Sequence, residues 1–225
     1  MTRSWSTRAA MIVSSLVLAA CGGAASQAAA SAKPTPTPVQ VTSDQLLAYT
    51  AKAADLGAGW TESPTPGATS VATDIVGSPC HYAFVSDAER LARNSVTITN
   101  DQDRSSVESD VTYFVYHGAK DLMSDLRTIL KTCPTYTEQN SEGATVTIDE
   151  HPSAVSALTS LGDDRVGIDR RATLGAQSIY SVVLAVRVGQ YVATIFSLSG
   201  DPAEAGRIAG LAAAASTMRL KSAPH

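Results

Sequence analysis

Residues 43–221 predict an α+β domain: an antiparallel β-sheet packed against helices, with one disulfide. Three observations point there. Alternating, β-branched runs come in pairs across short polar turns, as in "RNSVTITN" before "DVTYFVYH" and "SIYSVVLAVRV" before "YVATIFSLSG". Helix-period segments stand before, between and after these pairs, where a parallel sheet would alternate strand and helix one for one. No repeat of fixed period runs through the chain.

Taken in order, Ser43 is the expected N-cap of a first helix. Its apolar positions Leu46, Leu47, Ala54 and Leu56 lead to a Gly57-Ala58-Gly59 stop. Trp60 follows as a core residue, and "TESPTPGATS" reads as loop. Arg93–Asn100 is a strand, residues 101–109 a turn, and Asp110–His117 the returning strand, with Val111, Tyr113 and Val115 on one face and Thr112, Phe114 and Tyr116 on the other. Gly118–Thr132 is helical, because Leu122, Leu126, Ile129, Leu130 and Cys133 follow one face of a 3.6-residue period and Pro134 halts it.

Ala144–His151 reads as another strand, and "LGDDRVGIDRRAT" as a turn leading into a further one. The hairpin about Gly189-Gln190 suits a type II′ turn, with glycine first of two loop residues. Its strands are apolar on both faces, so they belong mid-sheet with a helix layer over at least one side. Asp201 as N-cap, Pro202 at the first position and Glu204 at the third start the last helix, with Ile208, Leu211, Ala215 and Met218 as its expected inward stripe.

The N-terminus supplies an address. Arg3 and Arg8 precede an apolar run from Ala9 to Ala20, whose helical length of about 18 Å falls short of a hydrocarbon core of about 30 Å. It has the build of an export signal spanning residues 1–20. Leu18-Ala19-Ala20-Cys21 resembles the lipobox of bacterial lipoproteins, which implies a diacylglycerol thioether on Cys21 and cleavage before it. The alternative is an ordinary signal cleaved nearby. Two acyl chains are what stable anchoring takes, placing the protein on the outer face of the cell membrane. Residues 21–42, rich in Ala and Ser and ending in "KPTPTP" and a few further residues, form a tether. Residues 222–225 form a short tail. With Cys21 acylated, Cys80 and Cys133 remain as a pair to bridge; two buried free thiols are the alternative.

"GSPCHYAF", "DVTYFVYH", the helix ending in "LKTC", "LGDDRVGI" and the paired strands around Val188-Gly189 resemble the PknH-like extracellular sensor domains and related lipoproteins of mycobacteria and other actinomycetes. The resemblance implies an antiparallel sheet with helices, a wide cleft, and a bridge at the positions of Cys80 and Cys133. A second cysteine pair typical of that family is absent from this sequence.

Composition narrows the function. Loss of Arg3 and Arg8 with the signal takes the formal charge from −4 to −6, and no Lys/Arg run exists, so nucleic acid is not an expected partner. The four histidines lack HExxH-type spacing, no Gly-x-Ser-x-Gly elbow is present, and Asp163-Asp164 lacks the calcium-loop pattern. No catalytic residue, metal or cofactor is therefore expected. Tyr113, Tyr116, His117, Tyr180 and Tyr191 are the candidate lining of a cleft, since tyrosine offers an apolar body and a polar tip.

The reading is a non-enzymatic, membrane-anchored lipoprotein that binds a small or lipidic ligand or a cell-wall fragment. The alternatives are an accessory that docks on an envelope protein partner, or a hydrolase with an unrecognised site. Cys21→Ala is expected to move the protein from the membrane fraction to the soluble exported fraction; unchanged detergent partitioning would refute acylation.

Overall fold

The computed structural model describes residues 40–71, 79–155 and 160–223. The signal segment, Cys21, the tether up to residue 39, the Gly77-Ser78 turn and His225 lie outside the described residues.

Two short helices, α1 (Ser43–Leu47) and α2 (Ala53–Leu56), precede strand β1 (Thr61–Pro64). After two 3-10 turns, Pro79–His81 and Val85–Glu89, come β2 (Arg90–Asn100), β3 (Ser105–Phe114) and helix α3 (Gly118–Thr132). The chain continues through β4 (Thr135–Gln139), β5 (Thr145–Pro152), β6 (Asp164–Leu174), β7 (Gln177–Val188), β8 (Tyr191–Ser199) and helix α4 (Pro202–Leu220). All eight strands form one antiparallel sheet in the order β1-β2-β3-β8-β7-β6-β5-β4. The fold is α+β.

The sheet is covered on both faces. Along β7, Val182, Leu184 and Val186 point at α4, while Val183 and Ala185 point at α3. This is the side-chain alternation of a strand read twice. Leu122, Met123, Leu126 and Ile129 of α3 pack on Val166, Ile168, Val192 and Phe114. α4 meets the other face through Ala205, Ile208, Ala209, Ala212 and Ala213. Small side chains let it lie close: the Ser197 hydroxyl donates to the Ala205 carbonyl at 2.6 Å, and Ser109 and Ser216 hydroxyls meet at 3.3 Å.

Several elements differ from the sequence expectation. The first helix is two helices. Thr42, not Ser43, caps it, its hydroxyl accepting from the Gln45 amide at 3.4 Å while the Gln45 side chain accepts from the Thr42 amide at 2.9 Å. The break follows because the Ala51 amide donates to the buried Ser109 hydroxyl at 2.8 Å, which pulls residues 48–52 out of helical register. "TESP" is an edge strand, tolerating Pro64 at its end. The β2–β3 turn is short, since β3 begins at Ser105. β4, unassigned from sequence, pairs with β5. Ala223, assigned to the tail, packs with Leu46 and Leu220.

On α4, Ile208 and Ala215 face inward, but Leu211 and Met218 are 40% and 69% exposed. The inward face is mostly alanine, with Ile208 its one large side chain against β7 and β8, and Leu211 and Met218 sit outside. Gly189 has φ +60° while Gln190 stays at negative φ, the type II′ arrangement.

Cys80 and Cys133 are disulfide-bonded, with Cα atoms 6.3 Å apart, within the usual window. The bridge fastens the end of α3 to the first 3-10 turn across a separation of 53 residues. By the chain-entropy relation a loop of that length is worth about 4 kcal/mol. Full reduction should lower the calorimetric Tm by several degrees; a reduced protein melting with the oxidised one would show that the bridge contributes nothing.

Candidate functional site

α4 lies over β7, β8 and the middle of β3, and leaves β5 and β6 on the same face uncovered. The step between helix and open strands is a groove of about 980 Å³, at the upper end of the range for small-molecule sites. Register builds its floor. Asp149, Arg171 and Tyr180 are cross-strand neighbours on β5, β6 and β7, and so are His151, Asp169 and Val182 in the adjacent row. One position off, Ile168 and Val183 point into the α3 core, so residues of alternating sequence position share the groove face.

The wall is α4. Ala203, Gly206, Gly210 and Ala214 keep it low, and Leu211 gives it an apolar lip. A Cβ on Gly206 would come within 3.3 Å of the Val155 side chain, which closes that end.

Acidic and basic groups on the floor alternate both along and across the strands. Asp149 accepts one bond, from the Thr135 hydroxyl at 3.0 Å, and Arg171 donates one, from Nε to the Ser178 hydroxyl at 3.1 Å. Asp169, His151 and the Tyr180 hydroxyl have no hydrogen-bond or ion-pair partner among the described residues. At the rim, Arg207 forms a two-pronged bond to Glu204 at 2.7 and 2.6 Å; this pairing holds the Glu204 carboxyl below its ordinary range.

The sequence-named tyrosines separate. Tyr180 lines the groove. Tyr113 and Tyr191 instead pack with each other and with Tyr49, ring centres 5.0 and 6.1 Å apart, beside Leu46 and Leu220. Tyr116 is exposed at the turn into α3, its carbonyl accepting from the Gln190 side chain at 3.0 Å. His117 precedes α3, exposed, its amide donating to Glu89 at 2.8 Å. None of these four borders the groove. The paired acids of "GDDRVG" are occupied structurally: Asp163 accepts from the Gly189 amide at 2.8 Å, and Asp164 accepts from Arg127 at 3.2 Å. The Arg127 guanidinium keeps the Asp164 carboxyl below its usual value.

Sequence reasoning missed Asp149, Asp169 and Arg171. The i, i+2 spacing of Asp149 with His151, and of Asp169 with Arg171, was a visible sign that each pair shares a strand face. That the two pairs lie side by side depends on the β5–β6 register.

A second polar cluster lies on the opposite face, beneath residues 65–71. Arg93 is ion-paired through Nε with Asp110 and, at 3.4 Å, with Glu108; both Arg93 and Asp110 are essentially fully buried. Arg93 also donates to the carbonyls of Gly67 and Ser70 at 3.4 and 3.3 Å, and Thr112 donates to Asp110 at 2.8 Å. This cluster staples the loop to the sheet. Burial pushes the Asp110 carboxyl up to about 7, against the pull of Arg93.

Among the described residues, no helix is long and apolar enough to cross a membrane, and no three His, Cys, Asp or Glu side chains are grouped to hold a metal ion.

No protein-family model matches the chain, and no curated protein does. Among solved structures, the chain is similar to the extracellular domain of PknH from Mycobacterium tuberculosis. The TM-score is 0.53 at 13% identity, over 81% of this chain and 98% of that one. The likeness is one of fold.

The raised Asp110 carboxyl fixes a pH dependence. Between about 4 and 7 the folded protein holds a proton that the unfolded chain has released, so this group's contribution to stability falls as pH rises through that window. Asp110→Asn should remove that component, visible as a flatter Tm-against-pH curve than wild type; parallel curves would show that Asp110 does not titrate there.

Proposed function

We propose that the protein is an extracytoplasmic binding module, anchored by acylated Cys21, whose groove between α4 and strands β5–β7 captures a small ligand. One observation carries the reading. The groove combines an apolar helix wall with a polar strand floor, and among the described residues the Asp169, His151 and Tyr180 side chains keep their hydrogen-bonding groups unspent. A groove of this size with convergent polar side chains is the usual form of a small-molecule site.

The fold shared with the PknH extracellular domain supports a location outside the cytoplasm and a sensing or capturing role. A disulfide between Cys80 and Cys133 agrees with it, because such bonds persist in oxidising compartments. The export signal and the cysteine that follows it supply the anchor.

Native mass spectrometry of membrane-extracted protein tests the reading. A small-molecule adduct is expected on the wild type and not on Ala214→Trp, which fills the groove from α4. No adduct, together with no thermal shift from any fraction of a small-molecule envelope extract, would overturn it.

A further inference from the structure

We infer that the ligand is a saccharide, an electrically neutral chain of pyranose rings; this rests on the groove being a ligand site. The inference comes from how polarity is laid out. Across the groove's width, the surface changes from mainly apolar on α4, at Gly206, Gly210 and Leu211 with Arg207 held at the rim by Glu204, through Val182 and Tyr180, to charged on β6 and β5. A ligand that fits must be two-faced along its whole length. A fatty chain with one polar head is divided end to end instead.

A pyranose ring has this two-faced form. Its C–H faces are apolar and its hydroxyls project from the edge. A Tyr180 ring and a smooth Ala/Gly helix face suit the C–H faces.

The charges point the same way. Asp149 stands across from Arg171, and His151 across from Asp169. Along each strand the sign or donor character also alternates, Asp149 with His151 and Asp169 with Arg171. With histidine counted as neutral these four carry a formal charge of only −1, and Arg170 and Arg207, which also line the groove, are paired with Glu150 and Glu204, so the groove offers little to a strongly anionic or cationic ligand. It offers acceptors beside donors at strand spacing, and a sugar hydroxyl both donates and accepts. The two cross-strand pairs are not closed into salt bridges within 4.0 Å among the described residues. Among the described residues the His151 and Asp169 side chains keep their bonding capacity, and Asp149 and Arg171 have each used one position of several. At about 980 Å³ the groove is several times the volume of one pyranose ring, so it has room for a chain rather than one ring.

The test uses the full chain extracted in detergent, titrated by saturation-transfer difference NMR. The probes are neutral tetrasaccharides: β-1,4-linked N-acetylglucosamine, α-1,4-linked glucose and α-linked mannose. Palmitate and an unrelated hydrophobic tetrapeptide are run beside them. At least one tetrasaccharide should bind, with signal on its ring C–H protons. Asp169→Asn and Tyr180→Ala should each weaken it by ~10-fold, about 1.4 kcal/mol, while Glu142→Gln, on the β4–β5 turn, should leave it unchanged.

Failure of all three sugars, or sugar binding unaffected by Asp169→Asn and Tyr180→Ala, overturns the inference. Palmitate or the tetrapeptide binding in a manner blocked by Ala214→Trp, without sugar binding, sinks the saccharide and leaves the groove as a ligand site. No probe binding to the groove, with no adduct in native mass spectrometry, removes both. Circular dichroism melts of each variant show whether it is folded, and Tyr180→Phe, which keeps the ring, should retain most of the affinity if the ring face is what binds.

Discussion

The structure depends on β7 being apolar on both of its faces. A strand buried on one side needs one covering layer; β7 needs two, because Val182, Leu184 and Val186 cannot be satisfied by the helix that covers Val183 and Ala185. That requirement recruits α3 to one side and α4 to the other, and puts β7 and its hairpin partner β8 near the middle of an eight-stranded sheet. At about 25 cal/mol per Å² of apolar surface, covering both faces of these two strands is a dominant favourable term of the fold. Strands farther out are progressively more polar, and β1 and β4 at the edges are short and mostly exposed.

Two helices do not cover eight strands evenly, and the remainder is where chemistry is available. α4 is drawn to the midline by its alanine face and by the Ser197 and Ser216 contacts, and so cannot also reach β5. On the opposite face, α3 leaves β2 and β3 to the loop at residues 65–71, and the polar strand surface buried beneath it is neutralised among Arg93, Asp110 and Glu108. The same shortage of helix is thus resolved in two ways: a loop closes one polar surface, and the other stays open as a groove. A buried pair like Arg93–Asp110 is a weak source of net stability but a costly one to break, since either partner alone would be an uncompensated buried charge.

The fold was legible in the sequence where local chemistry decides it. Gly118–Thr132 has a clean helical period between a glycine and a proline boundary, and Asp201-Pro202 announces α4 by capping alone. The errors fall where a distant contact overrides local preference. The Ser109 hydroxyl that breaks the first helix is 58 residues away. β1 and β4 are recruited by partners already in the sheet, not by their own propensity. Leu211 looked like core because it is large, but the face that α4 turns to β7 and β8 is mostly alanine. The groove was the least legible part. Tyr180 was visible as an aromatic on a strand, whereas Asp149 becomes a neighbour of Arg171, and Asp169 of His151, only through a pairing register that the sequence does not spell out.

The body's first packed residue, Val41, shares a cluster with Leu220 and Ala223, its last. Tension applied from the N-terminal side of residue 40 would arrive beside the end of α4, and its first resistance is the Asn94 side chain bonded to the Ser43 carbonyl at 2.9 Å and the Leu46 plug. Pulling would peel off α1, a five-residue flap, before it could shear a single strand from the sheet. A pull applied at residue 40 loads α1 and the far end of α4, away from the Pro202–Ala214 stretch that walls the groove.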